Sequence, residues 1–349
     1  MRKVSLLLVC SMLFLILSGC TVTVGGKKII SFNEKNENSI NWSSENDGEG
    51  IEKKEIKKQE ISSEDKINIS NSRGEIVIKS WDKNYVQVTA VKKIKDQNKN
   101  DIKVNVNSSS DTVNIDVKYP TGIGINKYKA DLEVMVPNNI KTVNGNSTSG
   151  KIRASEFDNL EKIDIESVSG DIDINKVTSK NFDIESTSGK VEMDVIVGNS
   201  FIKTVSGSVD VKEITGDLVC ETLSGDVKVN SLNGEVNAES ISGELDIRSK
   251  YLKQSNYKST SGNIKVTAEG IEDSGKYSFE SVSGKIKIEL PENAEFTLDA
   301  KSTSGNINNS FMIDKYEENS KKHIRGSIGS GKTSITVSTI SGNIEIDKK

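Results

Sequence analysis

The stretch that decides the fold is GSVDVKEITGDLVCETLSGDVKVNSLNGEVNAESISG, residues 207–243, in which a nine-residue pattern occurs four times. Glycine opens each copy, and apolar residues follow at the second, fourth and seventh positions after it. Alternation of apolar and polar residues is typical of a β-strand with one buried face. We therefore predict that all three apolar positions of each copy point into a core. They are Val209, Val211, Ile214, Leu218, Cys220, Leu223, Val227, Val229, Leu232, Val236, Ala238 and Ile241.

Outward from this stretch, one phrase recurs: Ser or Thr, any residue, Ser, Gly, and then Val or Ile two residues later. Its glycines are 18 to 22 residues apart from Gly150 to Gly305, and the last interval is 37 residues. A near-constant period is typical of solenoids, so we predict an all-β, single-stranded β-solenoid (β-helix) with coils of about 18–20 residues. Glycine suits the sharp turns because it adopts positive φ without steric cost. The structural repeat glycines are Gly74, Gly150, Gly170, Gly189, Gly207, Gly225, Gly243, Gly262, Gly284, Gly305 and Gly342.

The two ends of the repeat region are less regular than its middle. Residues 63–349 are predicted to form the solenoid, with residues 63–140 as an irregular N-terminal cap and residues 141–349 as the repeats. The cap consists of wider coils or a small sheet that covers an otherwise exposed strand edge. The polar residues 95–101 are predicted to form a hairpin loop, and residues 311–325 an insertion that is either a short helix or a loop.

The N-terminus has the features of an export signal. An apolar run from Val4 to Leu17 follows two basic residues and is too short to span a bilayer comfortably. Leu17-Ser-Gly-Cys20 resembles the lipobox of bacterial lipoproteins. The resemblance implies that residues 1–19 are a signal peptide and that the Cys20 sulfur carries the lipid. The alternative is an ordinary secretory signal.

A polar segment separates this leader from the repeats. Residues 20–62 are dominated by Asn, Ser, Glu, Lys and Gly, a composition that buries too little apolar surface to fold alone. We predict a flexible tether, with a short charged helix over residues 51–61 as an alternative.

Composition limits the classes of partner. Charged residues make up 28% of the chain with both signs mixed, and the net charge is −4. No basic stripe is present, which argues against nucleic acid as a partner. Aromatic residues reach only 5%, as expected for a thin aliphatic core. The Asn-, Lys- and Ile-rich usage indicates a low-GC Gram-positive source.

The repeats resemble the bacterial putative-adhesin family of β-helix-like Ser-x-Ser-Gly repeat proteins, a domain of unknown function. Asn71-Ser-Arg-Gly74-Glu-Ile-Val-Ile78 opens the similar region, and Thr339-Ile-Ser-Gly342-Asn-Ile344 closes it. The resemblance covers roughly residues 65–349 and implies a β-solenoid with no catalytic residues.

Several motifs suggest chemistry but have simpler interpretations. Residues 326–333, GSIGSGKT, match the phosphate-binding loop pattern, yet a strand-like segment follows where that loop needs a helix. Asp171-Ile-Asp173 imitates a calcium loop, but Lys176 stands where the loop needs glycine. His323 has no visible partner, and Cys220 is predicted to be a buried small residue. We therefore expect no catalytic residue, no metal and no cofactor.

The repeated phrase also forms two rows of hydroxyls. We expect them to satisfy turn amides and carbonyls; a flat hydroxyl ladder for glycan or ice is the alternative. One row is Ser149, Ser169, Ser188, Ser206, Ser224, Ser242 and Ser261; the other is Ser167, Ser186, Thr204, Thr222, Ser240 and Ser259.

The sequence thus predicts an exported β-solenoid that is lipid-anchored to the outer face of the cell membrane. Its expected role is non-enzymatic: binding or adhesion, or service as an envelope-regulatory scaffold. The expected partners are the membrane, through the N-terminal lipid, and an unknown protein or glycan on the solenoid surface. Two alternatives remain, a carbohydrate-active enzyme on a β-helix scaffold and a passive surface spacer.

Overall fold

The computed structural model describes residues 22–24, 27–30, 39–46, 50–60, 65–94, 102–120 and 128–349. Within these ranges the protein is all-β, and no helix is long and apolar enough to cross a membrane. The predicted signal peptide (residues 1–19), Cys20 and the predicted hairpin loop at 95–101 lie outside the described residues. The strands are β1 (Val22–Val24), β2 (Lys27–Ile30), β3 (Ser39–Asn46), β4 (Gly50–Glu60), β5 (Lys66–Asn71), β6 (Ile76–Trp81), β7 (Tyr85–Ile94), β8 (Lys103–Ser109), β9 (Thr112–Lys118), β10 (Lys129–Pro137), β11 (Thr142–Ser147), β12 (Ile152–Ser167), β13 (Ile172–Ser186), β14 (Val191–Thr204), β15 (Val209–Thr215), β16 (Leu218–Thr222), β17 (Val227–Ser240), β18 (Leu245–Ser259), β19 (Ile264–Ala268), β20 (Lys276–Ser281), β21 (Ile286–Leu290), β22 (Phe296–Ser302), β23 (Ile307–Asn309), β24 (Lys315–Asn319), β25 (His323–Ile328), β26 (Thr333–Thr339) and β27 (Ile344–Lys348).

Parallel pairing at the repeat distance makes the fold β-solenoid-like. Val209 of β15 lies opposite Val227 of β17, 18 residues later. Ile152 of β12 lies opposite Ile172 of β13, 20 residues later. Equivalent residues of successive coils therefore stack on one another, as the sequence period predicts.

Each coil has two arms, and stacked arms form two walls. The first wall contains the arm that precedes each repeat glycine, and the second wall contains the arm that follows it. In spatial order the first wall consists of β8, β9, β5, β11, the C-terminal parts of β12, β13 and β14, then β16, the C-terminal parts of β17 and β18, then β20, β26, β22, β25 and β24. The second wall consists of β3, β4, β7, β10, β6, the N-terminal parts of β12, β13 and β14, then β15, the N-terminal parts of β17 and β18, then β19, β21, β27 and β23.

The core lies between the two walls and is mostly aliphatic. Val211, Val229 and Ile247 occupy one position in successive coils, and each is 0% exposed. Most inward residues are β-branched, which suits a pleated and half-buried surface. Burying one such side chain contributes about 1.5–3 kcal/mol, so the core stabilises the stack only as a sum over many coils.

Two of the predicted core residues, Leu223 and Ile241, are in fact exposed, at 46% and 48%. Ile214 and Leu232, at the same offset in the alternate copies, are buried as predicted. The difference arises at the Ser-x-Ser-Gly turn. There Thr222 occupies the inward position, so the residue after it points outward.

The repeat glycines are required for a different reason than the predicted one. Gly74 is the one repeat glycine with positive φ, as predicted; the other positive-φ glycines in the described ranges are Gly198, Gly216, Gly329 and Gly331, which are not repeat glycines. Instead, a Cβ atom on a repeat glycine would collide with the coil below. At Gly170 it would lie 1.9 Å from the carbonyl oxygen of Gly150. Close approach of the backbones of neighbouring coils therefore selects glycine.

The last coil in the sequence is not the last coil in the stack. Strand β26 pairs in parallel with both β20 and β22, and β27 pairs with both β21 and β23. The phrase around Gly342 thus lies between those of Gly284 and Gly305. The phrase that comes last in the sequence is therefore not at the end of the stack.

Antiparallel strands complete both ends. At the N-terminal end, β4 pairs with β7, and β7 pairs with β10. Residues 50–60 are therefore a strand of the cap, so neither the tether nor the short helix predicted there is correct. Lys92 explains part of this pairing, since its buried ammonium forms an ion pair with Glu55 and donates a hydrogen bond to the Ile102 carbonyl, 2.7 Å away.

At the C-terminal end, residues 315–328 form a hairpin of β24 and β25, and β25 pairs with β22. The prediction of a helix or loop over residues 311–325 is wrong. The hairpin adds two antiparallel strands to the first wall, and β24 is the outermost of them.

Candidate binding surface

The Ser-x-Ser-Gly turn is capped from inside by its first hydroxyl. The Gly243 amide donates to Ser240 Oγ at 2.8 Å, and that hydroxyl lies 2.9 Å from the Gly243 carbonyl oxygen. Ser167 and Thr204 make the corresponding contacts to the carbonyls of Gly170 and Gly207, at 2.6 and 2.7 Å. These hydroxyls are buried. The structural interpretation of this row is confirmed, because its hydroxyls bond the backbone of the turns.

The second hydroxyl row has a different environment. Ser149, Ser169, Ser188, Ser206, Ser224, Ser242 and Ser261 are all exposed. Their backbone amides form hydrogen bonds between successive coils; the Ser224 amide, for example, donates to the Val205 carbonyl at 2.9 Å.

The residue between the two hydroxyls points out of the turn, and its equivalents form a continuous row that we name the corner ridge. Six of the eleven exposed large apolar side chains in the described ranges belong to it, with Leu223, Ile241 and Ile340 at 46%, 48% and 53% exposure. In spatial order the ridge consists of Thr148, Val168, Thr187, Val205, Leu223, Ile241, Thr260, Val282, Ile340 and Thr303.

A charged row runs beside the corner ridge, two residues earlier in the seven coils from Val168 to Val282. We name it the carboxylate row: Glu166, Glu185, Lys203, Glu221, Glu239, Lys258 and Glu280. Lys203 Nζ lies 3.9 Å from a Glu221 carboxylate oxygen, and Lys258 Nζ lies 3.9 Å from one of Glu239. The other three glutamates have no ion-pair partner among the described residues. The row therefore carries a net negative charge.

An open groove lies between the ridge and the charged row. Its two parts have volumes of 370 and 630 Å³ and share Lys203 and Val205. The buried hydroxyl row forms the floor between them. Such a groove accommodates an extended surface better than an enclosed small molecule, because small-molecule sites bury most of their ligand.

The residues that suggested catalysis have structural partners. Cys220 is fully buried, and burial raises the pKa of its thiol to about 12, which disfavours the reactive thiolate. His323 Nε2 lies 2.9 Å from Asp299 Oδ1, so the expectation that it has no partner is wrong. The Asp171 carboxylate accepts the Lys190 amide of the next coil at 3.0 Å.

The motifs that resemble a metal site and a phosphate-binding loop also lack the surroundings that such sites need. No group of three or more His, Cys, Asp or Glu residues suited to a metal ion occurs in the described part of the chain. Strand β26 begins at Thr333, the last residue of the GSIGSGKT motif, where a phosphate-binding loop needs a helix. Instead, the turn is held by carboxylates: the Ser330 amide donates to Glu295 at 2.8 Å and the Gly329 amide to Asp314 at 2.7 Å.

The sequence reasoning missed the corner ridge. Its signal was present, because Val, Leu, Ile or Thr recurs between the two hydroxyls of each phrase. The nine-residue pattern assigned Leu223 and Ile241 to the core, so the exposed row to which they belong was not predicted.

Stacked parallel coils with a thin aliphatic core define an all-β, β-solenoid-like protein. The family comparison agrees, since the Toastrack DUF4097 model matches residues 57–255 and 233–347. The chain belongs to the Toastrack DUF4097 family.

Several solved structures are similar to this chain over most of its length, at low sequence identity. A putative adhesin from Parabacteroides distasonis is 14% identical with a TM-score of 0.44, over 84% of this chain and 96% of that one. A putative adhesin from Parabacteroides merdae is 12% identical with a TM-score of 0.39, over 84% and 95%. A putative lipid binding protein from Parabacteroides distasonis is 16% identical with a TM-score of 0.37, over 84% and 96%. No curated protein matches the chain.

Proposed function

We propose that this chain is a lipid-anchored, extracytoplasmic, non-enzymatic binding scaffold that holds a partner along the corner ridge. One observation carries the proposal: six exposed aliphatic side chains lie in one row on the outside of the stack and are not part of its core. Contiguous exposed apolar surface rimmed by polar residues is typical of an interaction site. Leu223 at 46% and Ile340 at 53% exposure lie near the middle and the C-terminal part of this row.

The stack gives such a surface rigidity. Each ridge residue follows a buried and hydrogen-bonded hydroxyl, such as Ser240 before Ile241. Glycine contacts between coils fix the spacing on the other side of the turn. The partner would therefore meet a surface that is already ordered, so binding needs little ordering of the scaffold.

The anchor part of the proposal is supported by the N-terminal sequence. Leu17-Ser-Gly-Cys20 follows an apolar run of signal-peptide length, and its resemblance to a lipobox supports acylation of Cys20. We expect Cys20→Ala to leave the membrane fraction or to remain unprocessed, whereas Cys10→Ala, in the leader, stays processed and membrane-bound. Retention and processing of Cys20→Ala at the level of the parent chain would contradict the anchor.

The binding part is tested by photo-crosslinking in intact cells. A photoreactive residue replaces Leu223 on the ridge, and a matched one replaces Lys228, an exposed position on the second wall. We expect a discrete adduct from position 223 at a yield at least ten-fold above that from position 228. Equal yields, or no adduct from either position, would contradict a role for the ridge.

A further inference from the structure

We propose that the partner on the corner ridge is a second copy of this chain, packed side by side with its coils running in the same direction. This inference rests on the proposed binding role of the ridge and adds the identity and orientation of the partner. Its support comes from the period of the ridge, from the position of the carboxylate row and from the area available.

The period of the ridge matches that of another solenoid. Val205, Leu223 and Ile241 occupy successive coils, whose strands lie about 4.8 Å apart. Side chains on one face of an extended strand repeat at about 6.8 Å, so they lose register with the ridge after two coils. Turns of an α-helix repeat at about 5.4 Å, an offset of about 2.4 Å after four turns. A second copy keeps register along the whole row.

Charge determines the direction of the second copy. The carboxylate row lies on one side of the ridge, and Glu166, Glu185 and Glu280 have no cationic partner there among the described residues. A two-fold axis parallel to the stack places the two carboxylate rows on opposite sides of the joined ridges. An axis perpendicular to the stack places both rows on the same side, where like charges repel. The parallel arrangement is therefore favoured.

The area of the ridge indicates a weak contact. The eight coils from Val168 to Ile340 span about 34 Å at strand spacing, and a ridge about 10 Å wide then offers roughly 340 Å² per copy. Stable complexes bury about 800 Å² per partner. Dilute copies should therefore be monomeric. Anchoring in one membrane raises the effective concentration, and a parallel pair has both N-termini at one end, as a shared membrane requires.

Cysteine pairing in membranes tests the proposal with the full chain. Val168→Cys and Val282→Cys place thiols at well-separated coils of the ridge, and Lys228→Cys provides a control on the second wall. Two differently tagged copies are expressed together, membranes are oxidised mildly, and disulfides are assigned by mass spectrometry. A disulfide requires Cα atoms within about 7 Å, so only facing coils react. The chain without added cysteine gives the background, because its free thiol, Cys220, is buried and the Cys20 sulfur carries the lipid in the proposed anchor.

We expect 168–168 and 282–282 disulfides at least ten-fold above the Lys228→Cys level, with few 168–282 disulfides. Adding Leu223→Ser and Ile241→Ser should return both yields to that level. A majority of 168–282 disulfides, or no yield above the control, would overturn the inference. If the photo-adduct from position 223 then contains a different molecule, the binding role remains and only the second copy is excluded. Failure of both experiments would overturn both proposals.

Discussion

A Cβ atom on Gly225 would lie 1.9 Å from the carbonyl oxygen of Gly207, the equivalent glycine one coil earlier. Gly243 has the same relationship to Gly225, and Gly189 to Gly170, at 1.9 and 2.0 Å. Neighbouring coils therefore touch backbone to backbone at this corner, and no side chain fits between them. The contact holds the corner ridge at constant spacing.

Gly225→Ala should destabilise the protein strongly, because the added methyl group can be accommodated only if the two coils separate. We expect a loss of about 3 kcal/mol in the free energy of unfolding, measured by urea titration. Ser224→Ala, at the exposed neighbouring position, is the control and should change it by less than about 0.5 kcal/mol. A stability of Gly225→Ala equal to that of the control would contradict the glycine contact.

Val227 and Leu223 distinguish the core from the ridge. Val227 is 1% exposed and Leu223 is 46% exposed, although the sequence pattern assigned both to the core. Val227→Asp should unfold the central coils, at a cost of more than about 3 kcal/mol, because it buries an unpaired carboxylate. Leu223→Asp should stay within about 0.5 kcal/mol of the parent. Circular dichroism during thermal unfolding measures both, and equal losses would show that Leu223 belongs to the core.

Alanine substitutions at Ser240 and Ser242 compare the buried hydroxyl row with the exposed one. Ser240 Oγ accepts the Gly243 amide at 2.8 Å inside the turn, whereas Ser242 is exposed. Ser240→Ala should cost about 1–2 kcal/mol, because it leaves a buried amide without a partner. Ser242→Ala should cost nothing measurable. The reverse order in chemical denaturation would contradict the assignment of the two rows.

Tyr119 should make stability sensitive to alkaline pH. Burial raises the pKa of its hydroxyl to about 12, and the hydroxyl lies 2.7 Å from Asn71 Oδ1. An unfolded tyrosine ionises near pH 10. Between about pH 10 and pH 12 the unfolded chain therefore binds fewer protons at this position, so stability falls as the pH rises through that window. The contribution is intact below pH 10.

Tyr119→Phe removes this titration, and the test is the slope rather than the absolute stability. Urea titrations between pH 9 and pH 11 should show a shallower fall for Tyr119→Phe than for the parent chain. Tyr277→Phe is a positive control, because burial also raises the pKa of Tyr277 to about 12. Identical slopes for Tyr119→Phe and the parent would contradict the account.

The period of the sequence was sufficient to predict the repeats of the fold. Alternating aliphatics around residues such as Val209 and Val227 define strands, and the 18-residue interval places them opposite each other. The position of Cys220 in the repeat also predicted a buried small residue, and the structure agrees. Local pattern and tertiary packing coincide at these positions, because each coil meets another copy of itself.

The ends and the corner could not be predicted in the same way. Placing β26 between β20 and β22 depends on long-range pairing that no local period encodes. Residues 50–60 have the composition of a tether but pair with β7, because that strand offers an otherwise unpaired edge. At the corner, Thr222 and not Leu223 faces inward, because the hydroxyl satisfies the Gly225 amide, 2.8 Å away. A pattern of apolar residues alone does not contain this hydrogen bond.

The central claim is that the corner ridge binds a partner and that its side chains are not part of the core. The most direct measurement uses a photoreactive residue at Val205, with and without Leu223→Ser and Ile241→Ser, in intact cells. We predict that the double substitution lowers the adduct yield at least ten-fold while the urea midpoint of the protein stays unchanged. An unchanged adduct yield, or a loss of yield that accompanies unfolding, would contradict the claim.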